Sequence, residues 1–207
     1  MKKIRSILII ILAVAAAGMW CGVFVLRSQA GKPAYGEITI VETADRTESA
    51  EHPAFVKEVF EPVIPDGENI AGEAKMTASG HNDVYVPNKV NDGDTAGASY
   101  WEGAANDYPN ILTAAFEEEK SIHAVKVLLC PLSIWGARKQ TFSVEISPDG
   151  ENFEELIASA DYDFDPDTGN ELVLEFDAVT CKAVRLVFTS NTGSVGAQVA
   201  ELELYSE

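Results

Sequence analysis

Oxygen-bearing side chains are concentrated at residues 90–103, where the sequence is VNDGDTAGASYWEG. Asp92, Asp94 and Ser99 supply carboxylates and a hydroxyl on a tight loop, to which main-chain carbonyls can add further oxygen atoms. Calcium prefers about six to eight oxygen ligands of these kinds. The stretch therefore predicts a calcium site, and a solvated Asp-Gly turn is the alternative that the sequence leaves open.

Aromatic and cationic side chains near the predicted loops have the chemistry to hold a sugar, because carbohydrate stacks its apolar C–H faces on aromatic rings while polar groups orient it. Trp135 and Arg138 form the best pair, with the indole stacking and the guanidinium donating to hydroxyls. Tyr108, Tyr85 and Trp101 are further candidate contacts. The alternative for each is structural: Trp101 in particular resembles an anchor at the rim of the core, and Arg138 can pair with a carboxylate.

Catalysis finds little support in the sequence. The only histidines, at positions 52, 81 and 123, form no His-Glu-x-x-His run, and neither a Gly-x-Ser-x-Gly elbow nor a glycine-rich phosphate loop is present. Two carboxylates at glycosidase spacing arise by chance in a chain with 33 Asp and Glu, so their abundance carries no signal. We therefore expect no enzymatic activity and no catalytic residues.

A second acidic run, at residues 163–169, alternates three Asp in the manner of an EF-hand calcium loop. Its glycine comes one place late, Leu174 stands where a bidentate Glu belongs, and no helices are predicted beside it. We expect a plain acidic hairpin there.

Short alternating apolar runs, separated by turn signals, begin at about residue 68. Residues 142–146 alternate strictly, and Ser147-Pro-Asp-Gly150 follows them as a turn. We predict an all-β domain of antiparallel strands over residues 68–207, each strand turning one apolar face to the core. Cys130 and Cys181 lie on separate β-like stretches, which leaves a disulfide and two buried free thiols equally open.

The N-terminal part has a different character. Residues 7–26 carry no charge and are long enough for one transmembrane helix, and three basic residues before them favour a cytoplasmic N-terminus. We predict a cytoplasmic tip and signal-anchor helix at residues 1–30 and a spacer at 31–67 that holds the domain outside the cytoplasm. Secretion after cleavage at Ala30 is the alternative.

The surface of the domain must be strongly acidic. Residues 31–207 hold 11 Lys and Arg against 33 Asp and Glu, and the whole chain has a formal net charge of −18. Such a surface repels phosphate backbones and anionic lipid headgroups. We therefore expect no nucleic-acid partner, and membrane attachment only through the N-terminal helix.

Five signatures follow one another in a characteristic order. They are Asn69-Ile-Ala, Asp92-Gly-Asp94 with Trp101, Ser147-Pro-Asp149-Gly150-Glu-Asn-Phe153, Ala183-Val-Arg185-Leu186 and Glu201-Leu-Glu-Leu-Tyr205. This succession resembles the discoidin, or coagulation-factor C-type, domain over residues 68–206. The resemblance implies a galactose-binding-like jelly-roll β-sandwich, the fold that family 32 carbohydrate-binding modules also use.

A narrower likeness concerns discoidin modules of bacterial polysaccharide-degrading enzymes. It is carried by residues 100–103, 108–110, 135–138 and 189–193. This likeness implies non-catalytic binding of a polysaccharide or other glycan. Similar modules also place a structural calcium at the Asp92 loop, closed by the first Glu of the terminal strand, which would be Glu201.

The chain departs from the family pattern in two places. Residues 115–119, AFEEE, stand where the family has a short Asp-Leu-Gly, and Ser194-Val195 stands where it often has an aromatic. The second departure removes a stacking surface for sugar. A structural or protein-adhesion module of a cell-surface assembly, with a protein partner, is therefore the alternative function.

Overall fold

The computed structural model describes residues 62–95 and 99–206. Its strands are β1 (Glu68–Asn69), β2 (Lys75–Ala78), β3 (Trp101–Glu102), β4 (Asn110–Leu128), β5 (Arg138–Ser147), β6 (Glu154–Phe164), β7 (Glu171–Asn191), β8 (Gln198–Val199) and β9 (Glu201–Ser206). Short 3-10 turns cover Ala71–Glu73, Pro87–Lys89, Ser133–Trp135 and Pro166–Thr168. The predicted signal-anchor helix and most of the predicted spacer lie outside the described residues.

The strands form a seven-stranded sheet and a two-stranded one, and every pairing among the described residues is antiparallel. The larger sheet has the order β1-β9-β4-β7-β5-β6, with β2 also paired to β4, and β3 pairs with β8 in the smaller sheet. The predicted all-β antiparallel fold is confirmed, and the arrangement is consistent with a β-sandwich. No helix within the described residues has the length and apolarity that a membrane crossing requires.

The long strand β4 serves two parts of the sheet. Its first part pairs with β2 and with the end of β7, and its second part pairs with β9 and with the start of β7. The register shifts between Ala115 and Lys120, where the glutamates at 117–119 are exposed. The departure from the family pattern noted above thus falls on a bulge, where an irregular acidic stretch leaves the ladder on either side intact.

The core forms because the alternating runs each turn one face inward. Phe142, Val144 and Ile146 on β5 are buried, as the strict alternation predicts. On β7, Leu186 and Phe188 are fully buried, and the rings of Phe188 and Phe142 lie 4.8 Å apart. This packing fixes the strand ends from which the site residues project.

Lys126 binds the segment before β1 to the sheet. Lys126 is 2% exposed, and its ammonium donates to the Val63 carbonyl at 2.7 Å and lies 3.0 Å from Glu171 and 4.0 Å from Glu203. Glu171 in turn accepts from the Val63 N–H at 2.9 Å. A buried ammonium needs such partners, and here they come from β7, β9 and the incoming chain.

The structure also describes the two cysteines of the domain and the acidic run at residues 163–169. Cys130 and Cys181 are both buried and are not joined by a disulfide, and burial raises the pKa of the Cys181 thiol to about 11. The acidic run at residues 163–169 ends in a turn in which the Asp165 carboxylate accepts from the Asp167 N–H at 2.9 Å. Gly169 closes that turn with a φ of 86°, a left-handed conformation that suits glycine.

Candidate functional site

Tyr85, Tyr100, Trp135 and Arg138 come from three separate segments and pack against one another; we call these four residues the aromatic cluster. Tyr85 and Tyr100 stack with ring centroids 4.2 Å apart and 20° between their planes. Tyr100 meets Trp135 edge to face at 4.8 Å, and the guanidinium carbon of Arg138 lies 4.9 Å from the Trp135 ring centroid. Aromatic surface beside a cation suits a ligand with both apolar faces and hydroxyl groups.

Turns anchored to strands hold these side chains in place. The Tyr85 carbonyl accepts from the Glu102 N–H at 3.2 Å, which ties the Tyr85 loop to β3. Trp135 ends a 3-10 turn, and Gly136 follows with a φ of 52°, a conformation that side chains disfavour. The chain thereby turns between Trp135 and Arg138, the first residue of β5, and brings the two side chains together.

A buried carboxylate lies behind Arg138. Glu102 is 6% exposed and pairs with Gln198 across β3 and β8. The Gln198 side-chain oxygen accepts from Arg138 Nη1, and Gln198 Nε2 donates to Glu102 Oε2 at 3.0 Å. Asn82 and Ser194 donate to Glu102 Oε1 at 3.1 and 3.3 Å. Gln198 thus orients Arg138. Glu102, whose two oxygens accept from three donors, holds Gln198 in turn.

Burial governs the protonation of the cluster. It lowers the pKa of Arg138, while Cys130, Glu102 and Tyr100 oppose that change, and a guanidinium stays charged at neutral pH in any case. Burial and the hydrogen bond with Tyr85 raise the pKa of the Tyr100 phenol above its usual range. The cluster therefore presents one fixed positive charge beside the neutral phenol of Tyr100.

The structure brings three of the five predicted ligand contacts together: Trp135, Arg138 and Tyr85. Tyr108 is half-buried and packs against the core, and its hydroxyl is buried without a hydrogen-bond partner. Burial and the nearby charge of Glu102 raise the pKa of that hydroxyl. A ligand contact by Tyr108 stays a prediction.

Trp101 requires a correction, because its side chain has no surface to offer a ligand. It is 0% exposed, its ring centroid lies 6.0 Å from that of Phe188, and its indole N–H donates to the Gly80 carbonyl at 3.0 Å. The prediction that Trp101 contacts ligand is wrong, and its alternative role in the core is the one observed.

Sequence reasoning missed Tyr100, Glu102 and Gln198. A signal existed for the first two, since successive side chains of a strand point to opposite faces. With Trp101 assigned to the core, Tyr100 and Glu102 fall together on the other face. Gln198 had no such signal, because only its pairing with β3 brings it to Arg138.

The predicted metal ligands also approach one another. Glu201 Oε1 accepts from the Gly93 N–H at 3.1 Å, across 108 positions of sequence. Asp92 accepts from the Asp94 N–H at 3.0 Å and from the Ser99 hydroxyl at 2.6 Å. Residues 96–98, which complete this loop, lie outside the described part of the chain. The loop that carries Asp92, Asp94 and Ser99, which we call the acidic loop, thus meets β9, as the resemblance implied.

The surroundings of Glu201 disfavour the charged form of its carboxyl group. Its carboxylate is buried, and its Oε2 atom has no hydrogen-bond partner. Burial, together with the charges of Asp92, Glu203 and Asp94, raises its pKa to about 8, while the bond from Gly93 opposes the rise. Within residues 62–95 and 99–206, no group of three or more His, Cys, Asp or Glu residues is placed so that it could hold a metal ion.

Solved structures similar to this chain include three binding modules. CpGH89CBM32-5 from Clostridium perfringens, in complex with GalNAc-β-1,3-galactose, is 23% identical, with a TM-score of 0.55 over 66% of this chain and 97% of that one. Chitosan-binding module 1 from a chitosanase/glucanase of Paenibacillus sp. IK-5 is 19% identical, with a TM-score of 0.55 over 68% and 99%. A pectin-binding carbohydrate-binding module is 23% identical, with a TM-score of 0.54 over 68% and 92%. These likenesses establish a shared fold.

No curated protein matches the chain significantly. The family model of the F5/8 type C domain matches residues 75–202, from the start of β2 into β9, a span that contains the aromatic cluster and the acidic loop. That span is more than half of the sequence, and the family expected from the five ordered signatures is confirmed: the chain belongs to the F5/8 type C, or discoidin, domain family.

Proposed function

We propose that the domain is a non-catalytic carbohydrate-binding module that holds a glycan at the aromatic cluster. The observation that carries the proposal is the assembly of Trp135, Tyr100 and Tyr85 beside a half-buried, oriented Arg138. Three solved modules with this fold support it, because they are described as binding GalNAc-β-1,3-galactose, chitosan and pectin.

In the proposed complex, the aromatic rings stack on the sugar and Arg138 donates hydrogen bonds to it. The apolar C–H face of a pyranose stacks on Trp135, whose ring Arg138 already covers in part. Arg138 donates to sugar hydroxyls from a fixed position, because Gln198 holds one of its nitrogens and the Gly136 carbonyl another. Little side-chain entropy is then lost when the ligand arrives, which favours affinity.

The hydrogen bonds of Glu102 support the proposal of a binding role rather than a catalytic one. It is the carboxylate behind the cluster, and three donors occupy its two oxygens. A general acid or base must instead reach the proton that it transfers. Glu102 serves to fix Gln198 and, through it, Arg138.

We propose further that a structural calcium binds between the acidic loop and β9. Glu201 Oε2, buried and without a hydrogen bond beside Asp92 and Asp94, is the observation in its favour. A divalent cation would satisfy that oxygen and offset the repulsion, and Asp92, Asp94, Ser99 and Glu201 would hold it together with main-chain carbonyls. The ion would join the loop to the last strand without touching the sugar.

Residues 7–26 are proposed to anchor the protein in the cell membrane, with the domain outside the cytoplasm. The uncharged run and the basic residues before it support this localisation. Alkaline carbonate extraction of cell membranes tests it, since an anchored protein stays in the pellet and a protein secreted after cleavage does not.

Binding is tested on a glycan array and by isothermal titration of the full chain in a detergent without sugar headgroups. Trp135→Ala is expected to weaken glycan affinity about 30-fold, because it removes the stacking surface at the centre of the cluster. The matched control is Phe153→Ala, which removes the aromatic ring under Arg185 and should leave affinity unchanged. No binding by the wild type, or equal losses in the two variants, would refute the proposed site.

Gly193 lies against Arg138 and provides a milder test. A Cβ atom there would approach the Cδ, Nε and Cβ atoms of Arg138 to 2.8–2.9 Å, so Gly193→Ala must displace the Arg138 side chain. We expect affinity for glycan to fall about 3- to 10-fold while the melting temperature barely moves. Gly72→Ala is the control, since a Cβ at Gly72 meets nothing within 4 Å, and identical titrations for the two variants would contradict the role of Arg138.

Protein adhesion remains a second candidate function, and one observation favours it. Val84, Ile134 and Val195 are exposed apolar side chains, and the first two directly precede members of the cluster. Exposed apolar residues around a site often mark a protein contact. Two results together would support adhesion instead of glycan binding. One is the absence of binding on the glycan array, and the other is a displayed peptide that binds the wild type but not Ile134→Ser.

A further inference from the structure

A groove of about 590 Å³ adjoins the aromatic cluster on the far side of Arg138. Its lining includes Arg138 and Lys139 from the start of β5, Asp163 and Phe164 from the end of β6, and Thr192 just after β7. This volume lies within the range of about 300–1,000 Å³ that small-molecule sites occupy. Arg138 belongs to both places, so a ligand on the cluster has the groove directly beside it.

The walls of the groove are built from paired backbone. Arg138 stands opposite Phe164, and Lys139 stands opposite Asp163, in the antiparallel ladder of β5 and β6. Thr192 and Lys139 exchange two bonds at 2.9 Å: the Thr192 N–H donates to the Lys139 carbonyl, and the Lys139 N–H donates to Thr192 Oγ1. A cavity framed by strand pairing on both sides keeps its shape without ligand, which lowers the entropy lost on binding.

The polar groups of the groove suit an uncharged or amino-bearing ligand. The Lys139 ammonium lies 3.6 Å from Asp161 and 3.8 Å from Asp163, so its charge is already balanced. Arg138 keeps its positive charge, because Gln198 and Gly136 offer it only neutral oxygens, but it lies where the groove meets the aromatic cluster. Asp163, with 83% of its side chain exposed, keeps acceptor capacity for hydroxyl or ammonium donors. A sugar carboxylate would instead meet Asp163 and Asp165 in a strongly acidic domain.

We propose that this groove is a second sugar subsite, which makes the domain a binder of oligosaccharide chains and places an uncharged or amino-bearing residue in the groove. The inference rests on the proposed glycan binding at the aromatic cluster and extends it. Trp135 and its neighbours hold one sugar unit, Arg138 lies at the junction, and Asp163 accepts hydrogen bonds from the next unit.

Titration calorimetry of the full chain, in the same sugar-free detergent, tests the subsite. The probes are galactose and glucosamine, the tetrasaccharides of β-galactan and chitosan, and galacturonan tetrasaccharide as the acidic arm. For at least one neutral or amino sugar we expect the tetrasaccharide to bind about tenfold more tightly than its monosaccharide, and more tightly than galacturonan, because a hydrogen bond to a charged group contributes on that scale.

Asp163→Ala should remove most of the tenfold gain while leaving monosaccharide affinity within about twofold of wild type. Glu154→Ala, which deletes an exposed carboxylate at the other end of the same strand, is the matched control and should change neither value. Equal affinity for monosaccharide and tetrasaccharide, an equal effect of Asp163→Ala on both, or preference for galacturonan would overturn the second subsite while the cluster still binds. Absence of binding to every probe would instead remove the proposed function, and the groove with it.

Discussion

Trp101→Ala is expected to lower the free energy of unfolding by about 3–5 kcal/mol, the largest effect of any single substitution considered for this domain. The side chain is fully buried against Phe188, so its removal leaves a cavity that rigid strands on either side cannot close. It also leaves the Gly80 carbonyl without the indole N–H that it now accepts. Urea denaturation followed by circular dichroism measures the loss.

Two companion variants keep this prediction testable if Trp101→Ala does not fold. Trp101→Phe retains most of the buried apolar surface and should lose about 1–2 kcal/mol. Trp135 is half-buried, so Trp135→Ala should lower the free energy of unfolding clearly less than Trp101→Ala does. Trp135→Ala should nevertheless weaken glycan affinity about 30-fold, as stated above. A Trp101 variant as stable as the wild type would contradict the core role of this residue.

Calcium is expected to raise the melting temperature by about 10 °C when its concentration is a hundred times its dissociation constant, because that excess contributes about 2.7 kcal/mol. Differential scanning calorimetry with calcium and with EDTA measures the difference. Asp94→Ala should reduce the response, since it removes a predicted carboxylate ligand, and an unchanged melting temperature after chelation would refute the site.

The pH dependence in EDTA should have the sign expected of a buried carboxylate whose second oxygen has no hydrogen-bond partner. The folded-state pKa of Glu201, about 8, lies above its ordinary value of 4.5, so the folded state binds more protons between these values. Stability without calcium should therefore fall as pH rises from about 4.5 to about 8. Glu201→Gln should melt higher than the wild type in EDTA at pH 8, and yet fail to respond to calcium. A calcium response preserved in Glu201→Gln would be inconsistent with the proposed ligand set.

Much of the fold could be predicted because local sequence patterns, such as apolar alternation and turn residues, determine it. The alternation at residues 142–146 reports which side of β5 faces the core, and the burial of Phe142, Val144 and Ile146 agrees with it. The turn at Ser147 follows from its own residues, since Asp149 accepts from the following backbone N–H groups. Features of this kind need no knowledge of distant contacts.

The candidate site was harder to predict because long-range pairing creates it. Glu102 and Gln198 are 96 positions apart, and their contact exists only because β3 pairs with β8. Strand alternation could place Glu102 on the same face as Tyr100, but it could not predict the burial of Glu102, because carboxylates are almost always exposed and the chain has 33 acidic residues. Trp135 and Arg138 could be paired as candidates from the sequence because only two residues separate them.

The Lys126 contacts also determine how the domain would carry a mechanical load. β1 is a two-residue strand at the edge of the larger sheet and would detach easily if it alone resisted a pull on the preceding chain. A pull arriving from before residue 62 reaches Val63 first, and Val63 is bound to Lys126 on β4 and Glu171 on β7, the two longest strands. Tension is therefore delivered to the middle of the sheet before it reaches the edge.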